Sequence, residues 1–135
     1  MCLDYTLSKK KASKIIEQAK KRGYIRLFKV CYYKRTGWMF GLKWKKGIRK
    51  ASHLEEKDVG WNVGWYAFLT KEAAIKYLDS SFVKTCYAKP QWIKRLGAYS
   101  GYGKAGIFTH LAFPDWDKGD MTIREFRQMC KEFES

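Results

Sequence analysis

Gly101-Tyr102-Gly103-Lys104-Ala105-Gly106 fits the pattern G-x-G-x-x-G, whose chemical use is to let backbone N–H groups approach a phosphate without interference from Cβ atoms. The residues C-terminal to it argue against that use. A dinucleotide fold needs a helix straight after the loop, whereas Ile107-Phe108-Thr109-His110-Leu111 favours a strand. A phosphate P-loop fails as well, because Ala98 and Ala105 stand where a Gly and a Ser or Thr are required. The segment is expected to be a flexible hairpin loop over residues 100–106, with Lys104 as a secondary phosphate contact.

Acid–base and nucleophilic chemistry have three candidates. His53 and His110 are the only histidines, and imidazole titrates near neutral pH, so with a lysine beside them they would suit metal-independent RNA cleavage. Cys2 would become an N-terminal nucleophile if Met1 were removed, its own amine acting as base. His53-Leu54-Glu55 matches the first half of a zinc deaminase signature, but no P-C-x-x-C occurs after it. With no paired ligand spacing among two histidines and four scattered cysteines, no metal site and no cofactor are expected. Each catalytic pattern is incomplete, so the chain reads as a binder before it reads as an enzyme.

Charge is the strongest signal. The net charge is +15, and its distribution is uneven: residues 1–50 hold 16 Lys and Arg against Asp4 and Glu17, whereas residues 113–135 hold four basic against six acidic residues. Clustered cations lower the free energy of a nearby polyanion and release its condensed counterions. The candidate anion contacts are Lys9, Lys10, Lys14, Lys21 and Arg22, then Arg35, then Lys43, Lys45, Lys46, Arg49 and Lys50, with Lys104 assisting. Aromatic residues interleave with these cations at Tyr32, Tyr33 and Trp44. Such rings can stack on bases at about 1–3 kcal/mol each while cations hold the phosphates, whereas strand alternation already explains Trp38, Phe40 and Leu42 as the core face of a hairpin.

Several elements must position these groups. Ser8 can cap a helix over residues 9–22, with Ala12, Ile15, Ile16 and Ala19 on one face and Gly23 ending it. Residues 24–34 read as a strand, Arg35-Thr36-Gly37 as a turn and residues 38–44 as the returning strand of a β-hairpin. Residues 60–69 form another strand, Thr70 caps a short helix, residues 83–88 are a strand, and Pro90 opens a turn. Strands over 96–99 and 107–113 flank the Gly-rich loop, and Thr122 with Glu125 forms the capping box of a final helix. The expectation is one α+β domain over residues 1–135. Its mainly antiparallel sheet has about five to six strands, with an N-terminal, a central short and a C-terminal helix.

At 135 residues and 46% hydrophobic composition the chain can bury a core. It lacks an apolar run long enough for a membrane span and the layout of a signal peptide. The four cysteines lack close spacing and read as reduced thiols, which fits a cytoplasmic protein. Met1-Cys2-Leu3-Asp4, the block Gly64-Trp65-Tyr66-Ala67-Phe68-Leu69-Thr70-Lys71, the block Cys86-Tyr87-Ala88-Lys89-Pro90-Gln91-Trp92-Ile93 with Gly97, and Ala112-Phe113-Pro114 resemble a group of small phage-type proteins with no assigned activity. The resemblance implies a viral or mobile-element origin, hence the host cytoplasm and a role against host defence. It carries no site residue. The expected partner is RNA, DNA or a phosphate-rich nucleotide. The alternatives are an acidic protein surface, such as that of a defence nuclease, and a small ribonuclease.

Overall fold

The computed structural model describes residues 3, 5–31, 38–39, 42–51, 64–78, 83–99 and 101–135. Among them, ten strands and three helices are arranged along the chain. They run β1 Tyr5–Thr6, α1 Lys9–Arg22, β2 Ile25–Val30, β3 Trp38–Met39, β4 Leu42–Lys43, β5 Gly47–Lys50, β6 Trp65–Phe68, α2 Lys71–Leu78, β7 Val83–Ala88, β8 Ile93–Tyr99, β9 Gly103–Phe108, β10 His110–Phe113 and α3 Ile123–Glu134. Eight of the strands form one sheet in the order β1-β8-β9-β6-β2-β7-β10-β5, and β3 pairs with β4 in a separate two-stranded sheet. The α+β expectation holds, with a larger sheet than the five to six strands the sequence suggested.

The helices form where their caps place them. Ser8 Oγ accepts from the Lys11 N–H at 3.3 Å, and Gly23, at φ 90°, closes α1 with its N–H on the Ala19 carbonyl at 2.8 Å. Thr70 Oγ1 accepts from the Ala73 N–H at the start of α2. Thr122 and Glu125 complete a reciprocal capping box on α3. Pro90 opens one 3-10 turn, Pro90–Trp92.

The strand partnerships differ from those the sequence suggests. Among the described residues, Trp38–Met39 pairs with Leu42–Lys43, while β2 lies between β6 and β7. Its sequence explains why. Leu27 and Cys31 on one face and Phe28 and Val30 on the other are all buried or half-buried, so β2 must be covered on both faces, as a central strand is. The lysine-rich segment from Lys43 to Lys50 could not supply that cover, and β5 occupies a sheet edge instead.

The Gly-rich loop is shorter than expected. Gly103–Phe108 is strand β9, with Lys104 opposite Ala98 of β8. The turn is closed by the Tyr102 N–H on the Tyr99 carbonyl at 3.1 Å, with Gly101 at φ 84°. At Gly106 a Cβ would stand 2.7 Å from the Phe108 ring. Turn geometry and ring packing therefore account for Gly101 and Gly106 without any phosphate.

The sheet is rolled. Four inter-strand steps separate β6 from β5, about 19 Å if flat, yet the Trp65 indole of β6 donates to the Arg49 carbonyl of β5 at 2.9 Å. The Trp65 and Phe113 rings, three strands apart, have centroids 5.2 Å from one another. β9 and β10 are joined by Thr109 alone, whose N–H donates to the Trp92 carbonyl and whose carbonyl accepts from the Ala51 N–H. One bent strand thus serves both halves of the sheet. Leu27, Cys31, Trp65, Ala67, Cys86, Phe108, Leu111 and Phe113 fill the inner face together with Trp44 and Ala51. The outer face carries one cluster with Ala73 and Ala74 of α2 and another with Phe126, Met129 and Cys130 of α3.

A candidate anion site on the inner face

Among the described residues, Lys29 and Lys84 break the apolar pattern of the strands that line the inner face. Strand alternation aligns Lys29 with Leu27 on β2 and with Cys31 directly after it, and Lys84 with Cys86 on β7. The antiparallel register then sets Lys29 directly opposite Lys84. Lys29 Nζ donates to the Tyr66 carbonyl at 2.5 Å and lies 5.5 Å from the Trp65 ring centroid. Lys84 Nζ donates to the Trp116 carbonyl at 3.0 Å and lies 4.6 Å from that residue's ring centroid. From β5, the Arg49 guanidinium reaches over Trp65 at 5.4 Å and Phe113 at 5.8 Å. Among the described residues, no carboxylate forms an ion pair with Lys29 or Lys84. The result is a cationic centre walled by aromatic rings.

Burial dominates its electrostatics. Desolvation pulls the Lys29 ammonium below its ordinary value, only partly offset by Cys86 and Cys31. The same burial pushes the Cys31 thiol up to about 11 and the Cys86 thiol up to about 12, against the pull of Lys29. Both are therefore protonated thiols at neutral pH, and the thiolate is the reactive form. In the native protein neither should react with an aromatic disulfide reagent at pH 7.5, and both should react once denaturant is added. Residue-resolved mass spectrometry of the modified chain checks this, and native labelling of Cys86 would contradict it.

The cations expected from the sequence lie mainly elsewhere. Lys9, Lys10, Lys14, Lys21 and Arg22 are exposed on α1, as are Lys45, Lys46 and Lys50 around β5. Lys46 lies 3.7 Å from Asp115. Arg22 and Lys104, distant in sequence, line one cavity of about 250 Å³ with Tyr24, Arg26 and Thr70. Arg49 joins the inner-face group instead. Lys43 lies in β4, while Cys2, Tyr32, Tyr33, Arg35 and His53 fall outside the described residues.

Trp44 is a core residue and not a stacking platform. It is 6% exposed, its indole donates to the Pro114 carbonyl at 2.7 Å, and Phe113 and Trp116 pack edge-on against it. His110 is half-buried between the Trp92 and Phe133 rings, with Nδ1 2.9 Å from Thr109 Oγ1. Desolvation and Lys50 lower its pKa. No group of three or more His, Cys, Asp or Glu suited to a metal occurs among the described residues, and no described helix is long and apolar enough to cross a membrane.

Lys29 and Lys84 are absent from the sequence-derived site, although the sequence holds a signal for them. Each is a lysine at a core-facing position of an otherwise apolar alternation, a local rule broken where function is the usual reason. Compared with known proteins, the chain matches no family model, no curated protein and no solved structure.

Proposed function

We propose that the protein is a non-enzymatic binder of a polyanion, nucleic acid or phosphate-rich nucleotide, serving as an accessory protein of a phage or mobile element against host defence. The exposed surface of α1 carries this reading. Seven cations, Lys9, Lys10, Lys11, Lys14, Lys20, Lys21 and Arg22, project into solvent around a single acid, Glu17, which lies 4.0 Å from Lys20. A surface kept soluble by charge alone would mix both signs; this one concentrates one sign on a short rigid rod, as contact with a phosphate backbone requires. The incomplete catalytic motifs and the protonated inner thiols favour binding over chemistry.

The test is the salt dependence of binding to a labelled single-stranded oligonucleotide. The logarithm of the association constant should fall linearly with the logarithm of salt concentration, by about 0.7 for each phosphate contact on a single strand. Replacing Lys9, Lys10, Lys14 and Lys21 together by Gln should make the slope shallower by about 3. A wild-type protein that binds no RNA or DNA, or binds them without salt dependence, would sink the reading.

A further inference from the structure

We propose that the cavity bounded by α1, the start of β2, the start of α2 and β9 takes the terminal phosphate monoester of a nucleic-acid strand, held between Arg22 and Lys104. The inference rests on the reading that the protein binds nucleic acid, and it names the part of the strand that this cavity receives.

One cavity, of about 250 Å³, joins the groups that matter. Arg22 is the last residue of α1 and Lys104 the second of β9, and Thr70 and Arg26 share the same lining. No described carboxylate lines it, and among the described residues neither Arg22 nor Lys104 forms an ion pair. Arg26 does, with Asp120 at 2.7 Å, so Arg26 lends N–H donors while the uncompensated charge comes from Arg22 and Lys104. Ile15, Ala19, Ile25 and Leu69 line the rest, and such an apolar wall strengthens the field of the cations beside it.

Backbone interactions fix the pair. The Gly23 N–H on the Ala19 carbonyl ends α1 at Arg22. The Leu69 N–H donates to the Lys104 carbonyl at 3.0 Å, which brings Lys104 beside the residue that follows, Thr70. Gly103, at φ 142°, permits that approach, because a Cβ there would stand 2.9 Å from the Ala73 Cβ of α2. Thr70 Oγ1 accepts from the Ala73 N–H, and its own hydroxyl proton is left to donate. A cation in the last turn of a helix is favourable by itself. That accounts for Arg22 but not for the arrival of Lys104 and Thr70 at the same cavity from other elements.

Charge and position select the end of a strand over its middle. An internal phosphate diester carries a single negative charge, whereas a terminal monoester carries about 1.5 to 2 at neutral pH and offers three acceptor oxygens. Two uncompensated cations and a hydroxyl match the monoester in charge and in acceptor number. The volume is several times a water's share of roughly 30 Å³, so a phosphate can enter. Arg22 closes the cationic helix, and Lys14 and Lys11 lie about 12 Å and about 16 Å back along its axis, where they meet the phosphates that follow the bound end.

The experiment measures anisotropy of one short, internally labelled single-stranded sequence, as RNA and as DNA, with the full chain at a fixed salt concentration. Each is prepared with a 5′-phosphate, a 3′-phosphate, or hydroxyls at both ends. A phosphorylated form should bind about tenfold more tightly than the hydroxyl form, the scale of one charge-assisted hydrogen bond; which phosphorylated form gains identifies the end that enters. Arg22→Gln and Lys104→Gln should each lower that ratio to about twofold or less, and Lys104→Arg should keep more of it than Gln. Lys9→Gln, about 20 Å from Arg22 along α1, should weaken all forms alike and leave the ratio unchanged. Circular dichroism verifies that each variant is folded. A wild-type ratio near unity, or a ratio undiminished in both Gln variants, overturns the proposal. If the oligonucleotides then still bind with a steep salt slope, only the end site falls and the general reading stands; if no form binds, both fall.

Discussion

Phe113→Ala is expected to destabilise the protein by about 3–5 kcal/mol, the range for truncating a fully buried phenylalanine. The side chain is fully buried, and its ring is the point where three remote segments meet. Trp44 packs edge-on at 4.8 Å and Trp65 at 5.2 Å between centroids, and the Arg49 guanidinium lies 5.8 Å away. Trp65 belongs to β6, Arg49 to β5 and Trp44 comes directly after β4, so this ring is what the rolled sheet closes upon. Removing it forfeits the transfer energy of the ring, leaves a cavity that stiff indoles cannot fill, and deletes two edge-to-face pairs worth about 0.5–1.5 kcal/mol each. Phe133→Ala is the matching control: that ring is 48% exposed near the end of α3, and its loss should cost under about 1 kcal/mol. Urea denaturation of both variants reads the difference directly. Equal losses would mean that the sheet does not close on Phe113.

The sequence discloses the helices better than the sheet because the interactions that define them are short in range. Ser8, Gly23, Thr70, Thr122 and Glu125 act within four residues of their targets, so spacing alone locates α1 and α3 and the start of α2. Strand existence is nearly as legible, because Ile25–Val30, Trp65–Phe68 and Val83–Ala88 have strand composition. Strand partners are not. β2 pairs with β6 and β7 across tens of residues, and no local feature outweighs the plausible turn at Arg35-Thr36-Gly37. Trp44 illustrates the consequence. Among lysines it reads as an exposed stacking ring, but only the roll of the sheet shows that Phe113 and Trp116 enclose it. The split at Thr109 is equally hidden, since Ile107 to Phe113 is uniformly strand-like and the bend is fixed by hydrogen bonds to Trp92 and Ala51. For the candidate site, the charge asymmetry points to α1, while the inner-face lysines need the Lys29–Lys84 register before they can be recognised as a pair.

Lys29→Met should make the protein more stable, by about 1–3 kcal/mol at pH 7, the scale on which desolvated charges are outperformed by apolar side chains of similar shape. Methionine keeps the unbranched stem against Trp65, removes one of two opposed like charges and gives up a single hydrogen bond, to the Tyr66 carbonyl. The pH dependence identifies the cause. Because burial lowers the folded pKa of Lys29 below 10.5, the unfolded chain binds more protons than the native state between those two values, and this group's contribution makes stability rise with pH across that window. The advantage of the variant over the wild type is therefore full below the folded value and shrinks as pH rises from it towards 10.5. The thiols act in the opposite sense: Cys31 and Cys86 have folded values raised from 9.0 to about 11 and about 12, so the stability they contribute is present below pH 9 and is lost as pH rises through the folded values. They are common to both proteins, so subtracting one unfolding free energy from the other at each pH between 7 and 10 leaves mainly the lysine. A difference of the expected sign that narrows with pH identifies Lys29 as a charge held at the expense of stability, as a binding group would be. Destabilisation by the substitution at every pH would make Lys29 a structural element of the sheet instead.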